Sequence, residues 1–310
     1  MSITRRAFTS TVALTLASQA LPAWARRLNI PVGHTGITWP WGNAPRGTPG
    51  PTRLTGPEPI EEVVRDIASL GYRGIELFAW QIDGMEAYGG LGPVLQRHKL
   101  ALVASYTGVN LTDSAQRQAT IASAVATGKI VKKLGGTVMV IGPNGVPRDT
   151  YNFAANKANI VTTLNEVGKA ISDLGLTAAL HQHTGTCVET RDETYAVMEA
   201  VDTTYMKFGP DIGQLQKGGA DPVQVVKDFL PIVQHMHLKD FSGGDAFLGY
   251  CPLGQGKVDL PAILSMMDGK KMNGMVMVEL DSSPGQPIPP KETATIAKAY
   301  LQKHGVSLRS

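Results

Sequence analysis

The feature that most constrains the fold of this chain is the repeated alternation of short β-branched runs with longer amphipathic segments. Side chains of a strand alternate between two faces, whereas apolar residues of a helix recur every three to four positions. The pattern therefore predicts a series of β-strand and α-helix units. The predicted strands are Ile30–Thr38, Gly74–Phe78, Ala101–Tyr106, Thr137–Ile141, Leu176–His181, Tyr205–Asp211, Ile232–Leu238 and Met275–Leu280.

Amphipathic helical patterns fill the stretches between these strands. The first begins near Pro59, with a proline and acidic residues in its first turn. The segment after the second strand is interrupted by three glycines and is the weakest helix of the series. The remaining helices are predicted at Ala115–Leu134, Tyr151–Leu174, Glu193–Val201, Pro222–Phe229, Leu260–Met267 and Glu292–His304.

Eight such units, with no linker long enough to divide them, predict a single-domain α/β fold, the (β/α)8 TIM barrel. An open doubly wound sheet would usually carry a G-x-G-x-x-G loop after its first strand, and residues 34–41 contain none. The loop at 40–57 would lie over the barrel mouth. Its flanking Trp39 and Trp41 could stack on a sugar or pack the loop, and the sequence does not choose between these roles.

The N-terminal 25 residues have the pattern of a targeting segment. Arg5 and Arg6 precede a weakly apolar stretch that ends in Ala23-Trp24-Ala25, which resembles a twin-arginine signal peptide. The apolar stretch is too short and too polar for a transmembrane span, which needs about 20 mostly apolar residues. We therefore expect a signal at 1–25 and a barrel domain at 26–310. We also expect passage through the twin-arginine export machinery to a periplasmic or secreted location, without stable membrane insertion.

Charge and cysteine content restrict the function classes of the remaining chain. Loss of Arg5 and Arg6 lowers the formal charge from +3 to +1, which argues against nucleic-acid binding. Cys187 and Cys251 could pair in an oxidising compartment or remain free thiols. The oligomeric state is not indicated, and an oligomer stays possible.

Polar residues gather where the last four predicted strands end. In a barrel these ends surround the active site. Because the side-chain period of a strand is two, residues two apart share a face. The residues that share a face are His181 with His183, His235 with His237 and Lys239, and Glu279 with Asp281, while Asp211 ends the sixth strand.

Imidazole and carboxylate groups from four successive strand ends predict a divalent metal site. Mixed nitrogen and oxygen ligands suit Mn, Co, Zn or Fe, whereas sets of oxygen ligands suit Mg or Ca. Any one of these histidines alone would more often be a satisfied core or surface residue. The series is harder to explain as packing, although it does not identify the metal.

From 181 to 281 the chain resembles the xylose-isomerase-like sugar isomerase/epimerase superfamily, nearest the branch of inosose dehydratases and 3-keto-glycoside lyases. The resemblance covers nearly all of the chain after residue 25. Its specific motifs are H-Q-H-T-G-T-C-V-E-T at 181–190, D-I-G-Q at 211–214, H-L-K-D at 237–240, G-Q-G-K-V-D at 254–259 and V-E-L-D at 278–281.

The resemblance implies a metal bound by four residues and also shows two departures. Asp211, His237 and Glu279 match three of the family's ligands. His181 stands where the family usually has a glutamate and becomes the fourth predicted ligand. Gln214 replaces the histidine that usually follows the sixth strand. Each departure removes a group that could move a proton.

The resemblance also implies roles for residues around the predicted metal. Glu76 lies in a strand-two motif that usually serves the substrate, although a structural carboxylate is an open alternative. His34 and Tyr106 end the first and third strands. The candidate catalytic residues are Glu279, Lys239 and His183, and the candidate substrate-binding residues are Glu76, His34, Tyr106 and Gln214.

The reaction implied is α-proton abstraction followed by β-elimination from a carbohydrate. Epimerases of the family use two glutamates, and His181 replaces the first of them, whereas one base beside a polarised carbonyl is enough for elimination. The predicted substrate is a keto-sugar, keto-cyclitol or 3-keto-glycoside, with cleavage of a C–O or C–N bond. A sugar isomerase or epimerase is the main alternative. A metal-dependent endonuclease and a non-catalytic sugar-binding protein are weaker ones.

Overall fold

A computed structural model describes residues 27–39, 57–281 and 285–309. Eight parallel strands form one sheet in the order β6-β5-β4-β3-β2-β1-β10-β7. Parallel bridges from Phe208 to Val233 and from Asp211 to His237 join β6 to β7 and close the ring. The barrel strands are β1 Val32–Thr35, β2 Gly74–Phe78, β3 Ala101–Val109, β4 Val138–Pro143, β5 Thr177–Leu180, β6 Met206–Phe208, β7 Met236–Leu238 and β10 Val276–Val278.

Helices connect the strands on the outside of this ring, so the predicted single-domain TIM barrel is confirmed. Several helices begin at a side-chain cap. Asp221 and Asp259 each accept backbone N–H groups ahead of a proline in the first turn. The helices are α1 Pro57–Ser69, α2 Ala79–Glu86, α3 Gly92–His98, α4 Arg117–Lys133, α5 Phe153–Asp173, α6 Arg191–Met198, α7 Ile212–Lys217, α8 Pro222–Phe229, α9 Leu260–Met267 and α10 Pro290–Lys303.

The core has two layers, which follow from the two faces of each strand. A large apolar cluster lies between the sheet and the helices. A smaller cluster fills the interior of the barrel with short or flexible side chains, including Val103, Val138, Val140 and Met277. Gly74 leaves room for this layer, because a Cβ there would lie 2.3 Å from Val103 Cγ2. The packed interior leaves the strand ends as the place for a site.

Several predicted boundaries differ from the structure. Most barrel strands are shorter than predicted, because their first or last residues turn into loops. The weak segment after β2 forms the two short helices α2 and α3, separated by glycines with positive φ. Two elements were missed, namely α7 and an antiparallel hairpin formed by β8 Asp240–Phe241 and β9 Tyr250–Cys251.

Other sequence expectations have mixed outcomes. Cys187 and Cys251 are free, buried thiols. Trp39 is buried and packs edge-on against His34, which favours a packing role. Trp41 and the predicted signal at 1–25 lie outside the described residues. Within the described ranges, none of the helices has the length and apolar character needed to cross a bilayer.

Candidate active site

The ends of β5, β6 and β7 bring three predicted ligands together through backbone hydrogen bonds. His181 N–H donates to Ile141 O at 2.9 Å, which holds the residue after β5 against β4. His237 N–H donates to Pro210 O at 2.9 Å, which sets β7 beside the residue after β6. His181, Asp211 and His237 are all buried, and one ligand atom of each lies within 4.8 Å of the others.

Two polar atoms of this group lack the hydrogen bonds that buried groups usually have. Within the described residues His181 Nδ1 makes no hydrogen bond, and Asp211 Oδ2 makes ion-pair contacts in place of a hydrogen bond, the shorter to Lys239 Nζ at 2.8 Å. Buried polar atoms without hydrogen bonds are rare and costly, so each requires an explanation. An imidazole nitrogen and a carboxylate oxygen that are not engaged in hydrogen bonds are suitable ligands for a divalent transition metal. These residues could therefore hold such an ion.

The two oxygens of the Asp211 carboxylate have different roles. Its Oδ1 caps α7 by accepting N–H groups from Gly213 at 2.8 Å and Gln214 at 3.0 Å. Its Oδ2 is left facing the site. The Gln182 side chain donates to Asp211 O at 2.8 Å and so fixes the backbone at this position. The D-x-G segment thus orients one ligand oxygen by using the other as a helix cap.

Two carboxylates orient the His237 ring from opposite sides. Its Nε2 lies 3.0 Å from Glu76 Oε1, and its Nδ1 lies 2.8 Å from Glu279 Oε2. A histidine that binds a metal commonly donates its other ring N–H to a carboxylate. Glu76 also binds His235 Nε2 at 2.7 Å, and the three residues form a second possible ligand group. Because the polar atoms of Glu76, His235 and His237 are already hydrogen-bonded to one another, this group needs no ion. We therefore assign Glu76 to orienting His237.

The Lys239 ammonium lies among three carboxylates. Its Nζ is 2.8 Å from Asp211 Oδ2, 2.9 Å from Glu279 Oε2 and 3.2 Å from Asp281 Oδ2. The contact with Asp211 is electrostatic, since its geometry is not that of a hydrogen bond. Gly213 makes room for this side chain, because a Cβ there would lie 2.7 Å from Lys239 Cγ.

Burial and charge set the protonation states of this cluster. Burial and the nearby His237 lower the pKa of His181 well below its usual value, so its ring is neutral. Burial alone would lower the pKa of His237, but Glu279 and Glu76 together raise it well above its usual value. Burial raises the pKa of Asp211 to about 6, although Lys239 acts in the opposite direction. For Glu279, His237 and Lys239 outweigh burial and hold its pKa well below the usual value.

Two further predicted residues, Tyr106 and His34, lie around this cluster. Tyr106 packs edge-on against His181, with ring centroids 5.3 Å apart. A Cβ at Gly142 would lie 2.0 Å from the Tyr106 hydroxyl, so this glycine admits the phenol. His34 is buried between Tyr72 and Trp39, and its role as a substrate contact stays a prediction.

His183 is partly exposed and is held in one tautomer. Its Nδ1 lies 2.7 Å from Thr184 O, and its Nε2 lies 2.8 Å from the Gln214 amide nitrogen. The Gln214 amide oxygen accepts from the Thr184 hydroxyl at 2.7 Å. This network assigns the proton to Nδ1 and leaves Nε2 as an acceptor.

Asp240 holds the loop next to the site in place and was not predicted from the sequence as a functional residue. This buried carboxylate accepts N–H groups from Phe241, Gly254 and Gly256, each at 2.9 Å, and from Val258 at 3.2 Å. It therefore joins the H-L-K-D and G-Q-G-K-V-D motifs. The presence of both motifs in the sequence was the signal that could have identified Asp240.

Comparisons agree with this fold. The chain matches the xylose isomerase-like TIM barrel family over residues 64–304 and belongs to that family. An inosose dehydratase of Clostridium botulinum (strain Alaska E43 / Type E3) is 22% identical over 270 residues, covering 79% of this chain and 89% of the relative.

Two solved structures illustrate the likeness of the folds. The structure of the IolI protein with a zinc atom has a TM-score of 0.69 and 17% identity, covering 89% of this chain and 98% of that chain. The 3-keto-D-glucoside 4-epimerase YcjR of E. coli has a TM-score of 0.63 and 14% identity, also covering 89% of this chain and 98% of that chain. At these identities the structures show the shared fold alone.

Proposed function

We propose that this protein is a metal-dependent lyase that eliminates a β-substituent from a keto-sugar, keto-cyclitol or 3-keto-glycoside. One observation carries the proposal, namely the asymmetry of the site. Asp211, Glu279 and Asp281 lie on the side of β6 and β10, around Lys239. Imidazoles and the Tyr106 phenol occupy the side of β5, and the remaining carboxylate, Glu76, is bonded to His235 and His237. A two-carboxylate epimerisation would need acidic groups on both faces of the substrate carbon.

The protonation states support the same asymmetry. On the side of β5 the lowered pKa of His181 keeps its imidazole neutral, whereas on the side of β10 Glu279 is held as a charged carboxylate. His181, Asp211, His237 and Glu279 would hold a divalent metal ion, with Glu76 orienting His237. Such an ion would supply Lewis acidity toward a carbonyl and a neighbouring hydroxyl oxygen.

The proposed reaction uses residues in contact with one another. Glu279 removes the proton α to the substrate carbonyl, and its charged form is maintained by His237 and Lys239. Lys239 then stabilises the negative charge that moves onto the substrate oxygen. When the carbonyl reforms, the enediolate electrons form a double bond between the α- and β-carbons, and the bond from the β-carbon to oxygen or nitrogen breaks with its electron pair leaving on the departing atom. The inosose dehydratase relatives support dehydration chemistry, and the 3-keto-D-glucoside epimerase supports an oxidised glucoside as substrate.

The test is incubation of the metal-loaded protein in heavy water with a 3-keto-glucoside and, separately, with a free ketose. Release of the aglycone supports the lyase. Exchange of a C–H bond with inversion at that carbon and no release would instead establish an epimerase. The Glu279→Gln variant should lose turnover by far more than it loses substrate binding. Binding by the unchanged protein without any turnover would identify a sugar-binding protein.

An isomerase or epimerase is the second candidate, and His183 is the observation that favours it. Its ring is partly exposed, lies 5.9 Å from the His181 ring centroid and leaves Nε2 as an acceptor. This imidazole could replace the missing carboxylate as a second proton carrier. Loss of C–H exchange in His183→Gln, with aglycone release unchanged, would assign it to that side reaction.

Export is part of the proposal and is supported by Arg5, Arg6 and the Ala23-Trp24-Ala25 end of the leading segment. Keto-glycosides outside the cytoplasm would then be the accessible substrates. Cell fractionation of the full chain beside a variant with lysines at both arginines tests export. An unchanged distribution of the two chains would argue against twin-arginine transport.

A further inference from the structure

Tyr250 is a buried side chain that neither the sequence motifs nor the proposed mechanism uses. It lies on β9, where it pairs with Phe241 of β8, and its exposed fraction is 2%. Its hydroxyl makes no hydrogen bond to any described residue. The Thr184 hydroxyl lies beside it but is bonded to Gln214 at 2.7 Å. Leaving a buried hydroxyl without a partner is unfavourable, so a ligand that accepts its hydrogen bond would relieve that cost.

The surroundings of Tyr250 place it at the active site. The Lys239 ammonium, which contacts Asp211 and Glu279, lies 4.7 Å from the centroid of the Tyr250 ring. The Lys217 ammonium lies 4.9 Å from the same centroid. Burial together with the Asp211 and Asp281 carboxylates raises the pKa of Tyr250, so the hydroxyl carries its proton at rest, and the nearby Lys239 ammonium acts in the opposite direction by favouring the phenolate.

The hairpin that carries Tyr250 is held in a strained conformation. Phe247 and Leu248 are consecutive residues with φ of 50° and 60°, in the left-handed region. Non-glycine residues in this region are strained and persist where the surroundings enforce them, often at functional sites. Lys217 Nζ donates to Leu248 O at 2.9 Å, and Phe247 packs in one cluster with Tyr250 and Leu280. These contacts fix the ring beside Lys239.

We propose that Tyr250 is the catalytic acid that protonates the leaving group in the elimination, an inference that rests on the proposed function. For a 3-keto-glucoside, Glu279 takes the C2 proton, and the C–H electron pair forms the enediolate. Reformation of the C3 carbonyl creates the C1–C2 double bond and breaks the C1–O bond. The departing oxygen takes the Tyr250 hydroxyl proton, giving a free alcohol and an unsaturated keto-sugar, and the phenolate regains a proton from water.

The experiment compares Tyr250→Phe with the unchanged protein on 3-keto-glucosides whose leaving groups differ in acidity. A methyl glycoside needs protonation of its leaving oxygen, whereas a nitrophenyl glycoside does not. Loss of a general acid typically costs about 10²–10⁴-fold. We expect a loss in that range for the methyl glycoside and a loss of less than about tenfold for the nitrophenyl glycoside. Tyr195→Phe is the matched control, because its hydroxyl donates to Asp228 at 2.6 Å on the exterior of the barrel.

Each outcome decides a different point. An equal loss on both substrates would overturn the proposal, because it would mean that the hydroxyl only positions the sugar. No aglycone release by the unchanged protein from either substrate would refute the proposed function itself. Tyr250→Phe should match or exceed the unchanged protein in free energy of unfolding, since the hydroxyl it removes has no partner. A destabilised variant would make the hydroxyl structural and would also overturn the proposal.

Discussion

Replacement of Lys239 by methionine should strengthen metal binding, because the ammonium competes for the carboxylates that the ion needs. Methionine keeps an unbranched side chain of similar length and removes the charge. In the structure Nζ lies 2.8 Å from Asp211 Oδ2 and 2.9 Å from Glu279 Oε2. An ion about 2.1 Å from the Asp211 oxygen would lie within about 5 Å of the ammonium.

The magnitude follows from the charges and that separation. A divalent ion and an ammonium about 5 Å apart repel by about 7 kcal/mol at an effective dielectric constant of 20. Part of this gain is lost, because the freed Asp211 and Glu279 carboxylates then bind protons more readily. We therefore expect the dissociation constant of Lys239→Met for Mn²⁺ or Zn²⁺ at pH 8 to fall by at least about tenfold, equivalent to about 1.4 kcal/mol.

Isothermal titration calorimetry, or competition with a chromophoric chelator, measures this change directly. Lys217→Met is the control: Lys217 contacts the same Tyr250 ring, but within the described residues its Nζ bonds a backbone carbonyl and forms no ion pair. Its affinity should stay within about threefold of the unchanged protein. Weaker or unaltered binding by Lys239→Met would refute the reasoning and would place any bound ion away from Asp211 and Glu279.

Three other predictions concern single residues. Because the pKa of His237 is raised well above its usual value and that of Asp211 to about 6, both ligands take up protons as pH falls, so calorimetric metal affinity should decline from neutral pH and continue to fall through pH 6; a flat profile from pH 8 to pH 5 would contradict this. Gly142→Ala places a Cβ 2.0 Å from the Tyr106 hydroxyl, so the free energy of unfolding should fall by about 1–3 kcal/mol and KM should rise; an unchanged KM would remove Tyr106 from the substrate site. Asp240→Ala deprives four N–H groups of a charged acceptor and should lower the free energy of unfolding in urea by about 3 kcal/mol or more, whereas a loss below 1 kcal/mol would mean that water replaces the carboxylate.

The sequence predicts the barrel well because its main signal is local. Period-two runs give β2 with its bounds as observed, and the capped helices α8 and α9 also match. Element boundaries are predicted less well where a helix or turn is too short to show a periodic pattern. The predicted strand Ile232–Leu238 begins too early, because a 3-10 turn at Leu230–Ile232 follows α8. The six residues of α7 are too few to show a helical period.

The same contrast between local and long-range information applies to the residues of the site. Residues at strand ends could be assigned to one cluster from the side-chain period and barrel topology alone. The partner of each side chain could not, because it comes from a distant part of the chain. Glu76 reaches His235 and His237 across about 160 residues. Tyr250 carried no motif, and its position depends on a hairpin whose turn adopts left-handed φ at two non-glycine residues.

His181 gives the site a balance of charge that a glutamate would change. Glu76, Asp211, Glu279 and Asp281 already surround two cationic groups, Lys239 and His237. A fifth carboxylate at 181 would raise the cost of burying this cluster before any ion binds. A neutral imidazole provides a ligand atom without that cost. It also leaves the centre of the site less negative than a glutamate at 181 would. Positive charge there stabilises the enediolate oxygen that proton removal creates. The same residue that removes a second carboxylate base would therefore favour enediolate formation, and this balance of charge supports the single-base elimination that we propose.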